Sequence, residues 1–479
     1  MATIGPASWD PASLERLVRA GVDVLRINFS HADRERFAAV ISTARELAAR
    51  LDRPIAVMGD LQGPKIRTGK LRGGGPVTLA AGRECTITTE PVEGSAELLS
   101  TTYAGLPGDV RPGQQILVSD GAIVLEVTGV AGNRVRCRVV VGGRLAEHQG
   151  INLPGADVSA PSLTQKDLAD LQFCLERKVD FVALSFVRRP QDILDLRARI
   201  RAGGAEIPIV AKIEKPEALR HIHDIVRETD AVMVARGDLG VEMPPENVPL
   251  EQKKLIALCN SAGKPVVTAT QMLESMIRNP RPTRAEASDV ANAIFDGTDA
   301  VMLSAETAVG AYAVPAVETM ARIAAAVEDA SFGECRRPGL RPEWRRHYDL
   351  DVEAPAAPAT IEAAAADAAV NAACDISAAA IVVYTISGST ALQIARRRPP
   401  SRILALTPTP EVYNRLALAW GVEAVRAPFA EQTDQMLLAG EEALLAAGRL
   451  HAGDMVVIVS GAMPRRGSTN FVKIQRLGG

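Results

Sequence analysis

The sequence predicts an α/β protein: a (β/α)₈ TIM-type barrel, interrupted by a small inserted β-barrel domain and followed by an open α/β domain. Three observations predict it. Short apolar, β-branched runs alternate with helical periodicities over 1–68 and again over 158–332, and the runs number eight, the count that closes such a barrel. Between 69 and 157 the texture changes to period-two alternation broken by glycine-rich turns, the mark of half-buried antiparallel strands. Beyond a linker at 333–358, rich in Arg and Pro, a second β/α alternation fills 359–479. At 479 residues the chain exceeds what one ordinary core holds.

The elements follow in order. Ala2-Thr-Ile4 is a strand fragment, and Asp10-Pro11 starts a helix that Gly21 ends. A strand at 22–28, a helix at 33–51 and a strand at 55–60 complete the first β-α-β-α-β run. Because so little chain precedes Ile4, a barrel lacking much of its first strand is expected to have an open seam. In the insertion, segments near 84–89, 115–118, 123–127 and 134–141 alternate, no amphipathic helix is evident, and Gly73–Gly75 reads as a turn. The barrel resumes with a helix at 164–178 and strands at 180–186, 209–214, 231–238, 265–271 and 300–306, each followed by a helical period. Strands at 378–384, 403–407, 422–427 and 455–459 then build the last domain around helices at 391–398, 411–419 and 434–447.

Bulk properties exclude several classes. Hydrophobic content of 47% and charged content of 23% suit a water-soluble globular protein, and a net charge of −3 points to neither nucleic acid nor an anionic membrane. The six cysteines form no Cys-x-x-Cys or His-paired pattern, which disfavours a disulfide framework or a zinc site and fits a reducing cytoplasm. No run is long enough to cross a bilayer, and no signal peptide is evident.

The chemistry gathers where strands end. Ile209-Val-Ala-Lys-Ile-Glu214 and Ala231-Val-Met-Val-Ala-Arg-Gly-Asp238 are buried strands that stop abruptly in charge. Lys212 and Glu214, two apart, share one face. Arg26, Asn28, Asp60, Thr270, Ser304 and Glu306 also fall at C-terminal strand ends, the rim on which such a barrel keeps its active site. Glu214 and Asp238 offer hard oxygen ligands for Mg²⁺ or Mn²⁺. Lys212 can neutralise an enolate or a phosphoryl group in flight, Arg26 and Arg67 can fork onto phosphoryl oxygens, and amides at Gly237 and Asp238 can hold a carboxylate. Taken singly, Ser304 and Thr270 read rather as caps of the helices after their strands, His31 as a structural hydrogen-bonder, and His221 and His223 as surface residues.

Several motifs resemble those of the pyruvate kinases: Ala2-Thr-Ile-Gly-Pro-Ala-Ser8, Arg26-Ile-Asn-Phe-Ser-His31, 60–68, Asn152-Leu-Pro-Gly155, Ala211-Lys-Ile-Glu214, 235–242, 269–276, 282–286 and Met302-Leu-Ser-Ala-Glu-Thr307. They run in order over essentially the whole chain. The resemblance implies transfer of the phosphoryl group of phosphoenolpyruvate to ADP, giving pyruvate and ATP. It implies Lys212 at the phosphoryl and enolate, Glu214 and Asp238 on Mg²⁺, and Arg26, Gly237, Asp238 and Thr270 on the substrate. Asn28, Phe29, Ser30, His31, Arg67 and Lys166 would line the nucleotide side beneath a β lid, and Thr270, Ser304 and Glu306 are candidates for the route that protonates the enolate. Family members that need K⁺ hold it at the positions of Asn28, Ser30, Asp60 and the Leu61 carbonyl; here Leu61, Gln62 and Lys65 resemble the K⁺-independent subgroup, with the Lys65 ammonium supplying the charge. Thr385, Ser387, Gly388, Ser389 and Thr390 match the family's phosphate-binding effector loop, with Arg465 and Arg466 nearby, so a phosphorylated activator is expected. The resemblance further implies a homotetramer, with Arg284 and the last domain near the contacts. The alternative is a Mg²⁺-dependent enolpyruvate-type aldolase or lyase, which would also set Glu and Asp on barrel strands.

Overall fold

A computed structural model describes residues 1–30, 33–156, 158–332, 360–430, 432–461 and 469–478. The expected linker at 333–358 lies outside the described residues. The barrel begins with β1 (Ala2–Thr3), β2 (Val24–Asn28) and β3 (Ala56–Leu61). The insertion carries β4 (Val77–Leu79), β5 (Glu84–Thr88), β6 (Leu98–Ser100), β7 (Gln115–Val118), β8 (Ile123–Ala131), β9 (Arg134–Val141), β10 (Gly143–Leu145) and β11 (Ile151–Asn152). The barrel returns with β12 (Phe181–Leu184), β13 (Ile209–Ile213), β14 (Ala231–Ala235), β15 (Val266–Ala269) and β16 (Ala300–Val301). The last domain contributes β17 (Ala380–Tyr384), β18 (Arg402–Thr407), β19 (Val422–Arg426), β20 (Met455–Gly461) and β21 (Thr469–Arg476).

The eight barrel strands pair in parallel in the order β1-β2-β3-β12-β13-β14-β15-β16. The expected open seam is not found. Ala2 bridges Leu303, the Thr3 amide donates to the Leu303 carbonyl at 3.0 Å, and the Leu303 amide donates to the Met1 carbonyl at 3.0 Å. Two residues of β1 close the ring because the chain just past β16 stays extended beside them.

Period two then decides which side chains face inward. Val24, Met58, Ala183, Val210, Met233, Val267 and Met302 fill the barrel interior, while Leu25, Val57, Ile209, Ala211 and Val234 pack outward under the helices. Val210, Lys212 and Glu214 therefore lie on one inward row, and the row reaches the mouth where its residues become charged.

The insertion forms a six-stranded sheet, β11-β7-β8-β9-β5-β6, and a ribbon of β10 with β4 around its own apolar core. Arg67 bridges Gly150 beside β11 and Thr68 bridges Thr101 beside β6, so one chain segment joins the two edges of the sheet. One short helix, Leu106–Asp109, breaks the all-β pattern. Gly73 and Gly74 turn with φ of 75° and 68°, as the trio predicts. The last domain is an open sheet, β19-β18-β17-β20-β21, with β21 antiparallel on its edge and a separate core. The helical period after β13 is two short helices, Pro216–Arg220 and Ile222–Glu228, with His221 and His223 exposed at their junction.

Candidate active site

Lys212 is the centre of the barrel mouth. Its ammonium donates to the Ser185 hydroxyl at 2.7 Å and lies 2.8 Å from Glu214 Oε1 and 3.2 Å from Asp60 Oδ1. All three charges are buried, so their pairing has to offset a large loss of hydration. Burial pulls the Lys212 pKa down, but Asp60 and Glu214 outweigh it and hold the amine above its ordinary value. Asp60 is pushed up by burial and drawn below the usual range by Lys212 and Arg26, the latter 2.6 Å away. Arg26 also donates to Thr3 Oγ1 at 2.9 Å, which ties it to the seam of the barrel.

Glu214 uses its other oxygen to accept the Phe186 amide at 2.9 Å. Burial raises its pKa, and Asp238 raises it further against the pull of Lys212. Asp238 lies on the first turn of the helix Arg236–Glu242, exposed and lining a cavity of about 320 Å³ between the barrel and the insertion. Among the described residues no group of three or more His, Cys, Asp or Glu that could hold a metal ion is found; Glu214 and Asp238 offer two carboxylates, and a divalent cation held by them would take its other ligands from substrate or water. A buried carboxylate strained by a second one fits a divalent cation, which would relieve both.

Arg236 does work that its place in the sequence did not reveal. Its guanidinium donates to the carbonyls of Ala269 (3.2 Å) and Thr270 (2.7 Å) and pairs with Asp289 at 2.7 Å. That grip holds Thr270 and Gln271 in left-handed backbone, φ 68° and 55°, a conformation costly for non-glycine residues. Thr270 Oγ1 in turn accepts the Gly237 amide at 2.7 Å. The capping role read for Thr270 and Ser304 is not found. No helix starts at Thr270, and Ser304 precedes the helix Ala305–Ala308 with no side-chain cap bond. Its hydroxyl is buried without a partner among the described residues, while Glu306 accepts the amides of Ser304 (2.7 Å) and Leu273 (3.1 Å). Glu306 is thus a tie between loops, with both oxygens occupied.

Of the residues expected on the nucleotide side, Arg67 lines the same cavity, beside Lys65 and His148, and donates to the His148 carbonyl at 2.9 Å. Two of those residues, Phe29 and Lys166, do not line it. The Phe29 ring is wholly buried, edge-on to Phe37 and Phe173 at 5.7 and 5.8 Å, because the residue after β2 turns into the apolar layer beneath the helices. The Lys166 ammonium is committed to Asp170 and the Phe29 carbonyl, each at 2.6 Å, and is a brace behind the strand end. His31 lies outside the described residues, as do Arg465 and Arg466.

The four oxygens expected to hold K⁺ are engaged. Asn28 Oδ1 accepts the Ser30 amide (3.0 Å), Ser30 Oγ accepts from Lys65 Nζ (3.1 Å), and the Leu61 carbonyl accepts from Ser185 (2.7 Å), while Asp60 faces Arg26 and Lys212. Ser185, linking Lys212 to Leu61, was missed in the sequence; its only signal was a polar residue at the end of an apolar strand. In the effector-type loop, Thr385 accepts the Gly388 amide at 2.9 Å and Thr390 meets Thr469 at 2.6 Å, leaving Ser387 and Ser389 exposed.

Comparison with known proteins identifies the family. Residues 1–317 match the family model for the pyruvate kinase barrel domain, and 363–475 match that for the pyruvate kinase alpha/beta domain. The chain belongs to the pyruvate kinase family. A pyruvate kinase of Mycobacterium intracellulare is 45% identical over 479 residues, covering 99% of this chain and 97% of its own. One of Geobacillus stearothermophilus is 45% identical over 98% of this chain and 79% of its own. The solved structure of a pyruvate kinase from Cryptosporidium parvum superposes with a TM-score of 0.90 at 37% identity, covering 99% of this chain and 95% of that one. This pyruvate kinase is therefore a phosphotransferase of the type that requires a divalent metal, and nothing in the matches supports an aldolase or lyase. Among the described residues no helix is long and apolar enough to cross a membrane.

Proposed function

We propose that the barrel mouth transfers the phosphoryl group of phosphoenolpyruvate to ADP on Mg²⁺ or Mn²⁺ and needs no K⁺. Glu214 and Asp238 would hold the divalent ion, which when bound supplies positive charge to the phosphoryl oxygens. Lys212, buried and kept protonated by its two carboxylates, stabilises the negative charge that builds on the enolate oxygen as the P–O bond breaks. Arg26, fixed by Asp60 and Thr3, orients a phosphoryl oxygen, and the start of the helix at Gly237 and Asp238, with Thr270, orients the carboxylate. The Thr270 and Ser304 hydroxyls are the groups read for proton delivery to the enolate carbon; Glu306 serves by fixing the Ser304 backbone. Arg67 reaches the nucleotide phosphates, and the insertion acts as a lid that excludes water from the cavity.

One contact carries the K⁺ part of the reading: the Lys65 ammonium on Ser30 Oγ, a position where the cation would otherwise coordinate. No carboxylate pairs with Lys65 in a salt bridge among the described residues, which removes support for a surface ion pair. The test is pyruvate formation in tetramethylammonium buffer with and without K⁺. Equal rates are expected, together with K⁺-dependence acquired by Lys65→Glu; a large K⁺ stimulation of the unmodified enzyme would sink the reading. The exposed hydroxyls of Ser387 and Ser389 support a phosphorylated activator at the loop of the last domain, tested by titrating phosphometabolites on the unmodified enzyme and on Ser387→Ala. Membership of the family supports a homotetramer, which sedimentation would check.

A further inference from the structure

A second cluster of charge lies just outside the residues used above. We propose that Asn152, Glu242 and Lys215 form a latch that sets how readily the insertion closes over the substrate cavity; the inference rests on the lid reading and deepens it. Asn152 belongs to β11, an edge strand of the insertion, and its Nδ2 donates to Glu242 Oε1 at 2.8 Å. Glu242 ends the helix Arg236–Glu242, one turn after Asp238 on the same face. The same Oε1 receives the ammonium of Lys215, and Glu242 Oε2 is buried with no partner among the described residues, so the grip seen there depends on a single oxygen.

Lys215 carries the contact inward. It follows Glu214, its ammonium sits 5.4 Å from the centre of the Phe186 ring, and the Phe186 amide is the group that holds Glu214. Phe186 also packs against Gly63 on the path into the insertion: a Cβ at Gly63 would lie 2.7 Å from the ring, and Gly63 has φ of 69°. Asn152, Lys215, Phe186 and Asp238 all line the cavity. One buried carboxylate thus joins the edge of the insertion to both elements that carry the metal-binding residues.

Swinging the insertion outward leaves the Lys215–Glu242 pair in place and removes only the Asn152 donor. A buried carboxylate that gives up a charge-assisted hydrogen bond disfavours that motion, so the latch raises the fraction of enzyme ready to hold nucleotide. Asn152 is a positioning residue here, acting through lid closure rather than on the reacting atoms.

The test is Asn152→Ala in the full chain, with steady-state kinetics and amide hydrogen exchange. The KM for ADP is expected to rise roughly ten- to hundredfold while kcat changes by less than about threefold. Amides of Gln115–Val118, which pair with β11, should exchange faster in the ligand-free protein while those of β13 and β14 do not. Asn152→Asp, which sets a second carboxylate against Glu242, should be worse than alanine at neutral pH. An unchanged KM for ADP with unchanged exchange overturns the latch. So does an equal loss for both substrates with a lowered unfolding midpoint, the pattern of plain structural damage. If the alanine variant does not fold, Asn152→Ser, too short to reach Glu242, carries the same expectation. Exchange is read without turnover, so an unmodified chain that made no pyruvate would count against the phosphotransfer reading and still leave the latch to be judged.

Discussion

Ser185→Ala probes Lys212, the lysine proposed to stabilise the enolate, without touching a charge. The Ser185 hydroxyl accepts from Lys212 at 2.7 Å and donates to the Leu61 carbonyl at 2.7 Å, in a site where Lys212, Asp60 and Glu214 are all buried. Its removal takes one charge-assisted hydrogen bond from the ammonium, worth about 1.5–3 kcal/mol, and strands a buried carbonyl. Lys212 keeps both carboxylates, so its charge survives. What changes is its direction, since two carboxylates without the hydroxyl draw the ammonium toward themselves and away from substrate. If all of that is felt in the transition state, kcat/KM falls roughly ten- to hundredfold, with most of the loss in kcat. The assay is lactate dehydrogenase-coupled pyruvate formation at saturating metal, with Ser185→Thr, which restores a hydroxyl, as the rescue. A kcat within about twofold of the unmodified enzyme refutes the argument.

Two further expectations concern other parts of the site. Burial lowers the Lys65 pKa, Lys212 and Arg67 lower it more, and Asp238 and Glu214 only partly compensate. Lys65 therefore loses its proton before an ordinary lysine does as pH rises, and if its ammonium stands in for K⁺ near neutrality, K⁺ should begin to stimulate in the alkaline range; a flat K⁺ response up to the pH of enzyme unfolding would contradict this. Phe29→Ala should behave as a core truncation, costing about 3–5 kcal/mol of stability with little change in KM for ADP, as measured by thermal inactivation and kinetics at low temperature. A raised KM for ADP with unchanged stability would instead return Phe29 to the nucleotide side.

The barrel and the lysine–carboxylate core of its site were legible because both depend on strand periodicity. Once Lys212 and Glu214 follow Val210 at a spacing of two, their side of the sheet is determined, and the apolar run before them says how deep they begin. What the sequence concealed depends on partners far along the chain. Phe29 looks like a motif residue beside Ser30, and only Phe37 and Phe173 reveal it as core. Lys166 looks unoccupied until Asp170, one helical turn later, and the Phe29 carbonyl are seen both to accept from its ammonium. Arg236 reads as a strand-end charge, yet its role is set by carbonyls thirty-odd residues away. The helix Ile361–Asp375 was overlooked because its alanine-rich sequence has little apolar contrast between faces, and β21 because its exposed, charged residues alternate weakly on an edge.

The closure of the barrel by Thr3 and Leu303 has a consequence for biosynthesis. Those partners are separated by 300 positions, and at typical translation speeds the second emerges roughly 15–60 s after the first. Throughout that interval the strand Ala2–Thr3 has one flank unpaired, although Arg26 already has both of its partners, Thr3 and Asp60. Ribosome-bound fragments ending before residue 303 should therefore be the species that chaperones hold, and release should coincide with arrival of the last barrel strand.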